Sequence, residues 1–279
     1  MPDLGVNAQQ MARLFDALSD TYDDVGVEFF GPIAASLADA MRPRCGESWL
    51  DIGCGRGAVI DQIADAVGSA GRVVGIDISP QMIERARSQL TARSIDHVEL
   101  LVGDAMDPSP TLGHFDTISS CLVLFFLPEP ELALNRWLSR LAPGGRIGVT
   151  TFGPVDPRLE SVEAALVPYL PPTMRDARTS GRRGTFSSDT TMVDLLTRAG
   201  YASAHTVTDQ IEFAFTSAQH WYDFSWSTGQ RMMWMAMSEE QRLAARAQTD
   251  RRLAQFAQAD GSIRFTQQIR HTLAVHPGG

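Results

Sequence analysis

The sequence predicts an α/β protein: a parallel sheet with helices on both faces, carrying a helical cap. Two observations point there. From residue 48 onward, short apolar stretches alternate with helical patterns, the signature of strands joined by right-handed crossover helices. Three of those stretches also finish on an aspartate at their C-terminal ends: Asp51 beside the first, Asp77 at the second and Asp104 after the third.

The elements follow in order. Residues 7–18 place Met11, Leu14, Phe15 and Leu18 on one helical face. A loop holding Tyr22, Phe29, Phe30, Gly31 and Pro32 leads into a helix over 33–41. Strands are expected at 48–52, 72–76, 97–102, 115–121 and 146–151, with helices near 57–68, 80–93 and 129–141 between them. Pro143-Gly144-Gly145 stops the last of these helices and turns the chain into the next strand. Residues 153–187, rich in Pro, Gly and Arg, read as an inserted loop with a short helix at 159–168. A helix at 188–199 ends before Gly200, a long strand candidate covers 201–215, and helices return over 216–260 before a closing strand at 263–275. The division expected is therefore 1–44 as N-terminal cap helices, 45–152 as the core, 153–187 as a cap insertion, 188–215 as core helix and strand, 216–260 as a second, helical cap insertion and 261–279 as closing strand and tail.

Composition narrows the chemistry. Of 279 residues, 44% are hydrophobic and 20% charged, enough for a large globular core. All 24 cationic Lys or Arg residues are arginine. Without lysine there is no Schiff-base enzyme, no Walker-A P-loop and no protein kinase in this chain. The net charge of −9 and the lack of a dense basic cluster argue against nucleic acid or an anionic membrane as partner. Cys45, Cys54 and Cys121 are too few and too scattered for a disulfide framework or a zinc site, and no metal-ligand spacing occurs. No signal peptide pattern opens the chain, and the apolar run 121–127 is too short to span a bilayer, so a cytoplasmic protein is expected. Self-association as a homodimer stays open.

The most informative stretch is Asp51-Ile52-Gly53-Cys54-Gly55-Arg56-Gly57-Ala58. Its glycines permit a tight turn and let a ligand lie against bare backbone at the C-terminal edge of the sheet. Gly53, Gly55 and Ala58 also satisfy a loose dinucleotide pattern. Asp51 speaks against a pyrophosphate, because it sets a negative charge just ahead of the loop where a cation would be welcome. Asp77, twenty residues beyond Gly57, suits the hydroxyls of a ribose, and Asp104 suits an exocyclic amine such as adenine N6. A ligand with an ammonium, a ribose and an adenine but no phosphate fits these acids better than NAD.

This ordered set, completed by Gly103-Asp104-Ala105 and Leu141-Ala142-Pro143-Gly144-Gly145, resembles the motifs of class I S-adenosylmethionine-dependent methyltransferases over about residues 45–151. The resemblance implies a Rossmann-like sheet of seven strands, the last antiparallel, with 201–215 and 263–275 as strands six and seven. It implies that Gly53 and Gly55 line the methionine part of S-adenosylmethionine while Asp51 reaches its amino group. Asp77 would hold the ribose, Asp104, Ala105 and Met106 the adenine, and Ile78 and Met82 would pack on the adenosyl group. Cys121 would lie beside the sulfonium, and Tyr22 would close over the cofactor, whose product form is S-adenosylhomocysteine.

The acceptor is expected to enter between the glycine loop and the cap. Three of the five tryptophans, Trp221, Trp226 and Trp234, and four of the eleven methionines, Met232, Met233, Met235 and Met237, fall within residues 221–237. With Phe30 these tryptophans are the candidate walls for a small, apolar or aromatic acceptor. The segment 115–122 lacks the Asn/Asp-Pro-Pro-Tyr/Phe signature of methyltransferases acting on bases, Gln or adenine. Of the six histidines, His220 beside Trp221 is the candidate general base. The resemblance extends to the quinone- and polyketide-modifying branch, which implies methylation at O or C in bacterial secondary metabolism such as antibiotic biosynthesis. An alternative is a methyltransferase fold that holds the cofactor but catalyses cyclisation or rearrangement without methyl transfer.

Overall fold

A computed structural model of the chain describes residues 8–22, 25–172, 174 and 184–278. Part of the expected insertion at 153–187, and the first residue of the expected helix at 7–18, lie outside the described residues.

The chain begins with α1 (Ala8–Leu18) and α2 (Phe30–Met41). It continues through β1 (Ser48–Ile52), α3 (Ala58–Val67), β2 (Arg72–Asp77), α4 (Pro80–Ala92), β3 (Val98–Val102), β4 (Phe115–Cys121), α5 (Pro130–Leu138) and β5 (Leu141–Val155). After these come α6 (Pro157–Ala164), α7 (Asp189–Arg198), β6 (Ala202–Phe215), α8 (Ala218–Trp226), α9 (Arg231–Met235), α10 (Glu239–Ala254) and β7 (Ile263–Val275). Seven strands form one sheet in the order β3-β2-β1-β4-β5-β7-β6. β1 to β5 pair in parallel, and β7 lies antiparallel to both β5 and β6. The expected seven-stranded, mostly parallel sheet with an antiparallel last strand is therefore observed, and its strand order reverses beside β1.

Alternation along the strands decides which helix covers which face. Leu50 and Ile52 of β1 join Val74, Ile76, Ile118 and Val149 beneath α5 and α7, where Trp137, Leu134, Met192 and Leu195 are buried. Trp49, one residue away, turns to the opposite face and meets Leu37 and Met41 of α2 and Ile60 and Ile63 of α3. Each fully buried Leu or Ile contributes about 1.5–3 kcal/mol of transfer free energy. The helix starts are set by local chemistry as well. Ser79 accepts from the Met82 N–H at 3.1 Å ahead of Pro80, and Ser188 and Ser238 each close a capping box.

Three expectations change. α2 begins at Phe30 and packs on the sheet through Ala34, Leu37 and Met41, so it serves the core layer as well as the cap. β5 extends past the expected 146–151 at both ends, because Leu141 pairs with Phe115 and Val155 with Gln267. The long antiparallel partners β6 and β7 meet at the pair Phe215 and Ile263, the ends expected of them. Their far ends place Phe213, Phe215, Phe265 and Ile263 in one apolar cluster with Trp221, Phe224 and Trp234. The cap is thus strand and helix together. Last, the short helix of the 153–187 stretch is α6, starting at Pro157 because the Asp156 side chain accepts the Arg158 N–H at 2.9 Å.

Candidate functional site

The glycine loop sits where β1 stops and α3 starts. Gly53 has φ 73°, and a Cβ there would come within 2.3 Å of a methyl of Val123, so both backbone conformation and space call for glycine. The loop is pinned from β2: the N–H groups of Gly53 and Cys54 donate to the Ile76 carbonyl at 2.8 and 2.9 Å. Across it, Leu122 at the end of β4 adopts φ 59°, an uncommon conformation for a leucine and a mark of local strain at a site. A cavity lined by Tyr22, Phe30, Asp51, Gly53, Gly55, Arg56, Cys121 and Leu122, among others, opens between these segments.

Asp51 dominates its electrostatics. The residue is 1% exposed; one oxygen accepts from Ser119 Oγ at 2.6 Å, and the other has no partner among the described residues. Trp49 Nε1 donates to the same Ser119 Oγ at 2.8 Å and so fixes the hydroxyl's direction. Burial, with a smaller push from the charge of Asp77, raises the Asp51 pKa to about 7, against the lowering effect of the Ser119 bond. A buried carboxylate oxygen without a donor is costly, and an ammonium would relieve it. The residues present thus fit the methionine ammonium of S-adenosylmethionine. Cys121 is pushed up to about 12 by burial and by Asp51, which keeps it a neutral thiol rather than a nucleophile.

The remaining predicted cofactor residues lie along the same strand ends. Asp77 is mostly buried; its two oxygens accept the N–H groups of Gly55 and Ser79, each at 2.9 Å, and burial raises its pKa. A carboxylate has about four acceptor sites, so hydroxyls can still be bound. Ile78 is half-buried and Met82 is buried in the first turn of α4. Asp104 is exposed and accepts the Met106 N–H at 2.8 Å, while the Ala105 carbonyl receives Trp137 Nε1 at 2.6 Å and the Met106 carbonyl receives Arg136 at 3.0 Å. Tyr22 follows α1 and stacks on Phe30 with ring centroids 4.7 Å apart, and its carbonyl accepts from Arg56 of the glycine loop. The N-terminal segment is thereby tied to the cavity rim.

On the acceptor side the structure corrects the sequence reading. Trp221 and Trp234 are 1% and 0% exposed and belong to the cap's core, where Trp234 Nε1 donates to Ser225 Oγ at 2.8 Å. They are packing residues. Trp226 is half-buried, stacked 6.4 Å from Trp234, and its Nε1 has no partner among the described residues. His220 is not placed to act as a base. The Thr216 N–H donates to its Nδ1 at 3.1 Å, which puts the proton on Nε2, and Nε2 donates to the Val25 carbonyl at 2.6 Å. With both nitrogens engaged, the ring ties α8 to the N-terminal segment. Beyond Phe30, the aromatic rings that the sequence did not single out as acceptor walls are phenylalanines. Phe125 stacks on Phe152 at 5.5 Å, and Phe29 packs against both Phe152 and Phe30, at 6.4 and 5.1 Å. Phe152 stays 37% exposed because β5 runs beyond its expected end. Among the described residues, no three His, Cys, Asp or Glu side chains converge to hold a metal, and no helix is long and apolar enough to cross a membrane.

Comparison with known proteins supplies the lineage. A family model described as a methyltransferase domain matches residues 50–145. Nocamycin O-methyltransferase of Saccharothrix syringae is 33% identical over 280 aligned residues, covering 95% of this chain and 99% of that protein. This chain is a class I S-adenosylmethionine-dependent methyltransferase. Aklanonic acid methyltransferase DauC of a Streptomyces strain is 43% identical over 59% of the methyltransferase and 71% of its own length. Among solved structures, the [4+2]-cyclase SpnF superposes with a TM-score of 0.51 at 18% identity, covering 89% of the methyltransferase and 81% of that chain, a likeness of fold alone. The glycine loop and strand-end aspartates fall within or beside the family match, whereas α6, α8, α9 and α10 lie beyond it.

Proposed function

We propose that this methyltransferase moves the methyl group of S-adenosylmethionine to an oxygen of a small aromatic, polyketide-like acceptor in bacterial secondary metabolism. The observation that carries the reading is a cavity in which the unpartnered, buried Asp51 oxygen and the ring of Phe30 share the lining, Phe30 being continued by ring contacts through Phe29 and Phe152 to Phe125. Two relatives, named nocamycin O-methyltransferase and aklanonic acid methyltransferase, support it.

The cofactor, when bound, supplies an activated methyl group on a sulfonium; the chain's task is to orient and to exclude water. In this reading Asp51 meets the ammonium, Gly53 and Gly55 admit the methionine chain against backbone, and Asp77 receives the ribose hydroxyls. Asp104 with Ala105 and Met106 borders the adenine, and Ile78 and Met82 contact the adenosyl group. Cys121 forms the floor beside the reacting carbon, Tyr22 stacked on Phe30 closes the near side, and the half-buried Trp226 ring borders the acceptor side. The phenylalanine faces hold a planar ring by offset stacking, worth about 0.5–1.5 kcal/mol per pair beyond area burial.

Incubation with S-adenosylmethionine and a set of hydroxylated quinones and anthraquinones tests this by product mass. Gain of one CH2 unit with stoichiometric S-adenosylhomocysteine is expected. An isomerised product of unchanged mass replaces transfer with the cyclisation reading.

A further inference from the structure

Two residues of β7 hold the stretch of backbone that carries the exposed Phe152 ring. The β5–β7 ladder keeps one register as far as the pair Phe152 and Ile269 and resumes at Val155 and Gln267, so β5 carries one extra residue between them, a bulge. Arg270 is 4% exposed, and its guanidinium donates to Asp189 Oδ1 at 2.6 Å and to the carbonyls of Phe152, Phe186 and Ser187 at 2.8, 3.1 and 3.2 Å. Gln267 is buried, and its side-chain amide donates to the carbonyls of Gly153, Pro154 and Gln268 at 3.3, 3.4 and 2.7 Å. Side chains of β7 thus take the carbonyls of Phe152, Gly153 and Pro154 in succession. The bulge lies close against β7 as well: a Cβ on Gly153 would stand 3.0 Å from the Gln268 carbonyl oxygen.

The main chain that Arg270 holds carries two rings, and both meet the same third ring. Phe152 stacks on Phe125 with centroids 5.5 Å apart and planes 29° apart, and Phe186 meets Phe125 edge-on at 6.5 Å. Phe186 is buried, whereas Phe152 is exposed, and it continues through Phe29 to Phe30 in the lining of the cofactor cavity. A guanidinium taken out of water has to satisfy its donors, and its rigid planar fork transmits that demand as geometry. With the carbonyls at 152 and 186 both bound to one fork, the Cα–Cβ bonds of the two phenylalanines are aimed, and the contacts with Phe125 hold their rings. A bracket that merely joined β7 to α7 would need only the Arg270–Asp189 pair. The bonds to Phe152, Gly153 and Pro154 act on the bulge itself.

We infer that Arg270 and Gln267 are positioning residues that set acceptor specificity, holding the bulge so that the Phe152–Phe125 stack presents a fixed plane to a flat, fused-ring acceptor. This rests on the aromatic acceptor proposed above, and both residues act through the backbone they bind. Stacking depends on ring orientation as well as on area. A single ring finds contact wherever the phenylalanines lie within reach. A second and third fused ring add contact only while the Phe152 and Phe125 faces stay aligned. The preference for extended ring systems is therefore written in β7 and in the bulge of β5, beyond residues 50–145 that match the family model.

Calorimetric titration of the protein saturated with S-adenosylhomocysteine, using a hydroxybenzoquinone, a hydroxynaphthoquinone and a hydroxyanthraquinone, tests the inference. In wild type the affinity should climb with each fused ring. Arg270→Lys keeps the charge and loses the fork, Gln267→Met keeps the length and loses the amide, and Gly153→Ala presses the bulge away from Gln268. Each should flatten the climb: the anthraquinone weakens about threefold to tenfold, one stacked contact, while the benzoquinone changes by less than about twofold. The affinity for S-adenosylhomocysteine should hold in all three. Should Arg270→Lys fail to fold, Gln267→Met and Gly153→Ala give the same readout without touching the guanidinium. An equal loss for every acceptor reduces the clasp to a structural bracket and overturns the inference. A climb unchanged in the folded variants, or absent from wild type, overturns it too, and each of these results leaves the methyl transfer standing. A wild-type protein that binds none of the three overturns the aromatic-acceptor reading and this inference with it.

Discussion

Ser119 Oγ donates to one oxygen of Asp51 at 2.6 Å and leaves the second oxygen of that buried carboxylate without a donor among the described residues. The consequence is a site whose free state is electrostatically unfavourable and whose bound state is not. Asp51, at about 7, is raised above its unfolded value, so its contribution to stability is complete at acid pH and is lost as pH rises through 7. Cofactor binding runs the other way, because the ammonium needs the ionised carboxylate. The affinity for S-adenosylhomocysteine should therefore fall as pH drops below about 7, by up to about tenfold per unit, and level off above it. Calorimetric titration across pH checks this. Asp51→Asn should flatten the profile, weaken binding about tenfold or more, and raise the melting temperature of the ligand-free protein at alkaline pH.

Gly53→Ala provides a steric test of the same loop. Its Cβ would sit 2.3 Å from Val123 in a conformation with φ 73°, so two penalties act together. We expect a stability loss of about 2–4 kcal/mol together with lost cofactor binding. In the double variant Gly53→Ala/Val123→Ala the clash is relieved but the backbone strain remains. Denaturant melts should show partial recovery; full recovery would mean that the positive φ carries no cost.

How much of this was legible beforehand can be read from particular residues. Asp51, Gly53, Asp77 and Asp104 are legible as candidates because strand ends and tight turns leave local signatures within a few residues. The seven-stranded, mostly parallel sheet followed from the alternation together with the family resemblance, whereas its order β3-β2-β1-β4-β5-β7-β6 is set by pairings between strands distant in sequence. Trp221 and Trp234 were misread because an aromatic cluster at helical spacing looks the same from sequence whether it faces a ligand or a core. What decided the matter was β6 and β7, 14 and 13 residues long, whose far ends reach up to cover those indoles. Phe152 and Arg270 left no local signal: they are 118 residues apart and meet only through strand register.

Trp234→Ala should behave as a core deletion, losing about 3–5 kcal/mol and leaving Ser225 Oγ without its indole donor. Trp226→Ala, at a half-buried ring, should cost less stability and more acceptor affinity. Chemical melts of both, paired with acceptor titrations on protein saturated with S-adenosylhomocysteine, separate the two roles. Equal effects on acceptor binding would return Trp234 to the pocket wall.

His220 gives the sharpest division between a tether and a base. Its imidazole bridges the Thr216 N–H and the Val25 carbonyl, joining α8 to the segment that follows Tyr22. His220→Phe keeps a ring of similar bulk but breaks both bonds, and each broken bond at a half-buried site costs about 0.5–1.5 kcal/mol. The melting temperature should fall by several degrees, and limited proteolysis should cut the N-terminal segment sooner. The pH–rate profile should keep its shape, because no proton in the reaction passes through this ring. Loss of a titration limb in His220→Phe at unchanged stability would instead make His220 the base and require the N-terminal segment to release it before catalysis.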